Sequence, residues 1–147
     1  MDLTKFGLEN PSVQGMKGMA MKIGCAISTD GMHWSRLEGD SAVGACVELG
    51  KMENEDFDPV FVGWPQVLNH KGDEFRMYYS TLNPRLKMNT VGMATSNDGL
   101  LFKKHGQVFT GSGVRGAFDA RGVSRRHIIY DGESESYKMF YEGTSDE

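Results

Sequence analysis

Short apolar stretches with alternating or nearly alternating polar positions dominate the chain from Met21 onward: KIGCAIS, EFRMYYS, TVGMATS and SYKMFYE. Asp-Gly, Asn-Asp-Gly and Lys-Gly signals separate them, as expected where strands reverse direction. No segment sustains helical spacing for three turns, so the pattern predicts an all-β fold. Residues 1 to about 19 follow neither period and carry Pro11, Gly15 and Gly18, which predicts an irregular lead-in over 1–19.

The same pattern occurs more than once. KIGCAISTDGMHW (22–34) matches TVGMATSNDGLLF (90–102) at an offset of 68, and FDPVFVGWPQVL (57–68) matches FDARGVSRRHII (118–129) at an offset of 61. EFRMYYST (74–81) matches SYKMFYEG (136–143) at an offset of 62. Each unit then reads as an inner strand (64–69 or 125–130), a second strand (74–81 or 136–142), a third (20–28 or 88–96) and an outer one (32–37 or 100–105). Four short antiparallel strands per repeat predict β-propeller blades. The segment 20–147 divides into an outer half-blade (20–56), a full blade (57–117) and an inner half-blade (118–147). Phe75, Met77 and Tyr79 alternate with Arg76 and Tyr78, and this two-sided apolar content suits a sheet packed between neighbouring sheets.

The order FDxxxVxxPxV, then EFRMYY, then VGMATSNDG resembles the five-bladed propeller glycoside hydrolases of the arabinanase, levansucrase and invertase group, family-43-like enzymes in particular. The resemblance covers nearly everything from about residue 20 and implies an incomplete five-bladed propeller. Two blades' worth of strands leave blade faces and edges open, so the expectation is a segment of a longer propeller, a short form, or a chain that associates with itself or another chain.

The resemblance also implies three pocket carboxylates around the axis, with a GVxDPxV pattern at the inner strand. An inverting hydrolysis needs room for water between two carboxyls about 6.5–9.5 Å apart, a distance met across blades. Here Trp64 stands at the Asp position and Pro65 is kept; in the second copy Arg125 and Arg126 stand at the Asp and Pro positions. Neither copy supplies a carboxylate there, so these positions, with His127, are candidates for substrate binding. Trp64 could offer a flat face to a sugar and the arginines could fork onto hydroxyl, carboxylate or phosphate oxygens. Alternatively Trp64 fills core, the arginines pair with acids, and His127 is an ordinary strand histidine. The acids left for a catalytic role are Asp58, Asp119 and Glu142; the recurrence of Asp58 as Asp119 favours a structural hydrogen-bond acceptor. Function is expected to be carbohydrate binding, or glycosidic hydrolysis in a complete ring, with a noncatalytic interaction or scaffold module as the alternative.

Other chemistry adds little. The run Glu53–Asp58 lacks the glycine and distal Glu of a calcium loop, and GSGVRG (111–116) lacks the Lys-Ser/Thr ending and helix of a phosphate loop. Both read as interblade loops. His33, His70 and His105 show no metal spacing, and no cofactor is expected. Cys25 and Cys46 form no disulfide framework and read as buried thiols. The 39% hydrophobic and 24% charged content is that of a soluble globular chain, and the net charge of −4 disfavours nucleic acid or an anionic membrane as partner. No apolar run reaches the roughly 18 residues of a membrane span, and the first residues lack the apolar core of a secretory signal. The compartment is not specified.

In ISTDGMHW and its counterpart TSNDGLLF, Asp30-Gly31 and Asp98-Gly99 are expected to make a tight hairpin turn, with Trp34 and Phe102 capping the blade and His33 at the rim.

Overall fold

A computed structural model describes residues 21–38 and 44–146; the expected lead-in over 1–19 and part of the first half-blade lie outside the described residues. The described chain is all-β. Strands β1 (Cys25–Ile27) and β2 (Ser35–Leu37) form one two-stranded sheet, and β3 (Gly63–His70), β4 (Glu74–Asn83), β5 (Met88–Ser96) and β6 (Lys103–Thr110) form a four-stranded antiparallel sheet in that order. Strands β7 (Val123–Asp131) and β8 (Ser136–Gly143) make a third, two-stranded sheet. The sheets therefore follow one another with two, four and two strands, the grouping expected of an outer half-blade, a whole blade and an inner half-blade. Among the described residues no helix is long and apolar enough to cross a membrane.

Packing explains the strand composition. The central sheet is covered on both faces. On one, Met77, Tyr79 and Ala94 pack with Ile23, Val47 and Val62. On the other, Tyr78 and Val91 pack with Val123 and Ile128. Hence β4 is buried without interruption from Met77 to Asn83, and each large apolar side chain so enclosed contributes about 1.5–3 kcal/mol. Among the described residues the last sheet is covered on one face only: Ile128 is 2% exposed while its neighbour Ile129 is 40% exposed, and Phe140 reaches 63%.

The repeated Ser-x-Asp-Gly segment is a capped loop, wider than the expected tight turn, because β2 and β6 begin only at Ser35 and Lys103. Ser28 Oγ accepts from Gly31 N at 2.8 Å, and Asp30 Oδ1 accepts from Met32 N at 2.8 Å and His33 N at 2.9 Å. Ser96 and Asp98 repeat this with Gly99 at 2.9 Å, Leu100 at 2.8 Å and Leu101 at 2.9 Å. Gly31 and Gly99 both sit at φ 75°, which a Cβ disfavours. These N–H donors hold the Asp98 carboxyl below its ordinary range, first through Leu101, and that of Asp30 well below it, first through His33. His33 Nδ1 also meets Asp30 Oδ2 at 2.7 Å.

The expected aromatic cap holds for Phe102, which packs against the first core cluster, but not for Trp34. Trp34 is 62% exposed and donates from Nε1 to Gly31 O at 3.1 Å, because no inner half-blade lies beneath it among the described residues. Cys25 and Cys46 are free thiols, half-buried rather than buried.

Candidate functional site

Both inner strands break register at the same place. Gly63 pairs with Ser80, and the next regular pair is Gln66 with Tyr78; Val123 pairs with Gly143, and the next is Arg126 with Tyr141. The irregularities release Trp64 and Arg125 from the ladder at the entrance to each strand. At Trp64 the backbone takes φ 48°, a left-handed conformation that costs a bulky side chain about 1–3 kcal/mol. Contacts on both sides hold it there. Phe61 packs against the indole edge-on at 5.5 Å, and the guanidinium of Arg126 donates to the Trp64 carbonyl.

Arg126 is thus part of the seam between blades. It donates from Nη1 to Ser80 Oγ at 2.9 Å and from Nη2 to the Tyr78 carbonyl as well as that of Trp64, while its buried Nε has no partner among the described residues. Burial pulls its pKa down to about 10, so it stays cationic at neutral pH. The seam continues with Ser80 Oγ donating to Ser124 O at 3.1 Å. The Gln66 amide also donates to Ile128 O and accepts from Ile128 N, each at 2.8 Å, imitating a strand partner.

Above this seam opens a cleft of about 390 Å³ lined by Phe61, Trp64, Ser80, Asn89, Ser124, Arg125 and Glu142. Trp64 is 47% exposed, and Arg125 is exposed with no hydrogen bond or ion pair among the described residues. Glu142, also exposed, accepts from Ser124 Oγ at 3.3 Å. The cleft therefore offers an apolar plane, a guanidinium and a carboxylate together. Of its lining residues Glu142 is the one acid.

The other candidates lie elsewhere. His127 is exposed on β7, outside the cleft, at the position that repeats Gln66. Asp58, 1% exposed, accepts from Tyr79 Oη at 2.9 Å and Lys104 Nζ at 2.6 Å. Burial and the Asp58 charge push the Tyr79 hydroxyl's pKa far up, so it remains a donor. Asp119 accepts from Tyr141 Oη at 3.2 Å, and bonds from Ser112 and Tyr141 hold its carboxyl below the ordinary range. The two acids thus tie the interblade loop to the second strand in both repeats, and neither faces the cleft. A larger gap of about 800 Å³ lies between segment 45–51 and β6, but Asp58 and Lys104 there are already paired with each other.

Trp64, Arg125 and Glu142 were legible as inner-strand and rim positions; Asn89, Ser80 and Ser124 were not. Asn89 reaches the cleft through a parallel bridge to Gly122. A Cβ on Gly122 would lie 2.7 Å from Asn89 O, so that glycine was the one sequence sign of the contact. No family model matches the chain, and no curated protein matches it.

Proposed function

We propose that this chain is a carbohydrate-binding segment of a glycosidase-like propeller, related to the arabinanase, levansucrase and invertase group, with the Trp64 cleft as its sugar site. The observation that carries this reading is Trp64 itself. It is a half-exposed indole held in a left-handed backbone conformation, in one cleft with Glu142 and with Arg125, which has no partner among the described residues. An indole face suits the C–H face of a furanose or pyranose ring, Arg125 donates to ring hydroxyls or a sugar carboxylate, and Glu142 accepts from a hydroxyl. Strain is retained where the surrounding contacts hold it and a function uses it. Hydrolysis needs a second carboxyl across the cleft, which further blades of a completed ring would have to supply. The activity assigned to these residues is therefore binding.

Calorimetric titration with arabino-, xylo- and fructo-oligosaccharides tests the reading. One class should bind, and Trp64→Ala and Arg125→Ala should each weaken it at least tenfold, or about 1.4 kcal/mol, with the circular dichroism spectrum of the folded chain unchanged. Absence of heat with all three classes would overturn it. The alternative, a noncatalytic interaction module, draws its support from the apolar side chains exposed on the outermost sheets, Ile27, Ile129 and Phe140.

A further inference from the structure

The two half-blades are complementary. Strand β8 has no partner on the edge away from β7, and β1 has none on the edge away from β2, among the described residues. In the whole blade the strands equivalent to these, β4 and β5, pair with each other. We propose that β8 of one copy of this chain pairs antiparallel with β1 of a second copy, so that β7, β8, β1 and β2 build a composite four-stranded blade.

The register follows from the repeats. Met77 pairs with Ala94 and Tyr79 with Gly92. The offsets of 62 and 68 then place Met139 opposite Ala26 and Tyr141 opposite Gly24. Two details of the whole blade recur in the composite. First, a Cβ on Gly92 would lie 2.5 Å from Tyr79 and 2.7 Å from Phe57, so Gly92 is the hollow those rings fill. At the same repeat position Gly24 has only Gly44 O nearby, at 3.9 Å, so nothing within the described chain requires a glycine there. Tyr141, with the 62% exposed Phe118 ring tilted against it at 5.6 Å, repeats the pair of rings that needs such a hollow. Second, Asp58 joins Tyr79 to Lys104 of the outer strand. Asp119 holds Tyr141, and the residue that repeats Lys104 is Arg36, exposed on β2 without an ion pair among the described residues. In the composite, Arg36 of the second copy completes the Asp119–Tyr141 pair. Charge, cavity and register all point to the same occupant. The contact joins unlike surfaces, so copies joined by it close a ring or extend as a filament.

Sedimentation velocity tests this with two blocked chains. The wild-type chain should sediment as multiples of 16.3 kDa. Gly24→Val fills the hollow on β1 and leaves β8 intact; Phe118→Asp spoils the ring pair beside β8 and leaves β1 intact. Each alone should sediment as a single chain with an unchanged circular dichroism spectrum, and an equimolar mixture should form a one-to-one pair that grows no further. Arg36→Asp should weaken wild-type association at least tenfold. A wild-type chain that stays single at every concentration, blocked chains that associate as wild type does, or a mixture that fails to pair would each overturn the proposal.

Discussion

Replacing Gly92 by alanine adds one methyl group at the most crowded point of the central blade. The new Cβ would lie 2.5 Å from Tyr79 Cζ, 2.8 Å from Tyr79 Cε2 and 2.7 Å from Phe57 Cζ, where ordinary contact begins near 3.4 Å. Tyr79 is 0% exposed and has no open side to turn into, so its ring or the β5 backbone must shift by roughly 1 Å, a strain that typically costs about 1–3 kcal/mol. The shift acts on Cζ, which carries the hydroxyl bonded to Asp58 Oδ2 at 2.9 Å. Weakening a bond to a buried carboxylate adds up to about 1.5 kcal/mol, for a total of roughly 1–4 kcal/mol. In a chain of this size that lowers the melting temperature by roughly 3–15 °C. The assay is thermal unfolding followed by circular dichroism in a Phe118→Asp background, so that association does not contribute. The matched control is Gly24→Ala in the same background. Among the described residues its Cβ meets only Gly44 O at 3.9 Å, so the change should stay within about 0.5 kcal/mol. Equal effects at the two glycines, or an unchanged melt for Gly92→Ala, would refute the assignment of the hollow.

Two further outcomes follow from the seam and the turns. Gln66→Ala should destabilise the β7–β8 sheet against the central blade by about 1–3 kcal/mol, since it strips both hydrogen bonds from the Ile128 backbone; urea unfolding should show a lower midpoint, and an unchanged midpoint would count against the strand-like role of this amide. Backbone donors hold the Asp98 carboxyl below its ordinary value of 3.8 in the folded state, so its contribution is complete above that value and is lost as pH falls through the lowered one. The melting temperature should therefore decline on acidification below about pH 4, and Asp98→Asn should flatten that decline; a slope identical to wild type would remove Asp98 from the account.

The amino-acid sequence by itself determined the strands, their order and their grouping. Alternation is a local property, and the repeats at 61, 62 and 68 residues state which strands are equivalent. Strand limits were read to within a few residues at the inner three strands of the whole blade. The outer strand was placed too early, because the Ser-x-Asp-Gly loop folds back on its own backbone before pairing resumes at Lys103. The pairing of Asp58 and Asp119 with second-strand tyrosines was implicit in the repeat, since Tyr79 and Tyr141 recur with them.

Only the tertiary structure decided which inner-strand residues meet. Arg125 and Arg126 are neighbours in sequence with the same chemistry, yet the register break between Val123 and Arg126 leaves one exposed in the cleft and buries the other's guanidinium against Ser80, Trp64 and Tyr78. Trp34 and Phe102 were both legible as aromatic positions, but whether a ring is core or surface depends on whether another sheet lies over it. Phe102 is covered, whereas Trp34, at the entrance to β2, and Phe140, on β8, stay 62% and 63% exposed with no further sheet over them among the described residues. Burial is a property of the neighbour as much as of the residue, and contacts between blades are made by segments about 60 residues apart whose local sequence carries no mark of each other.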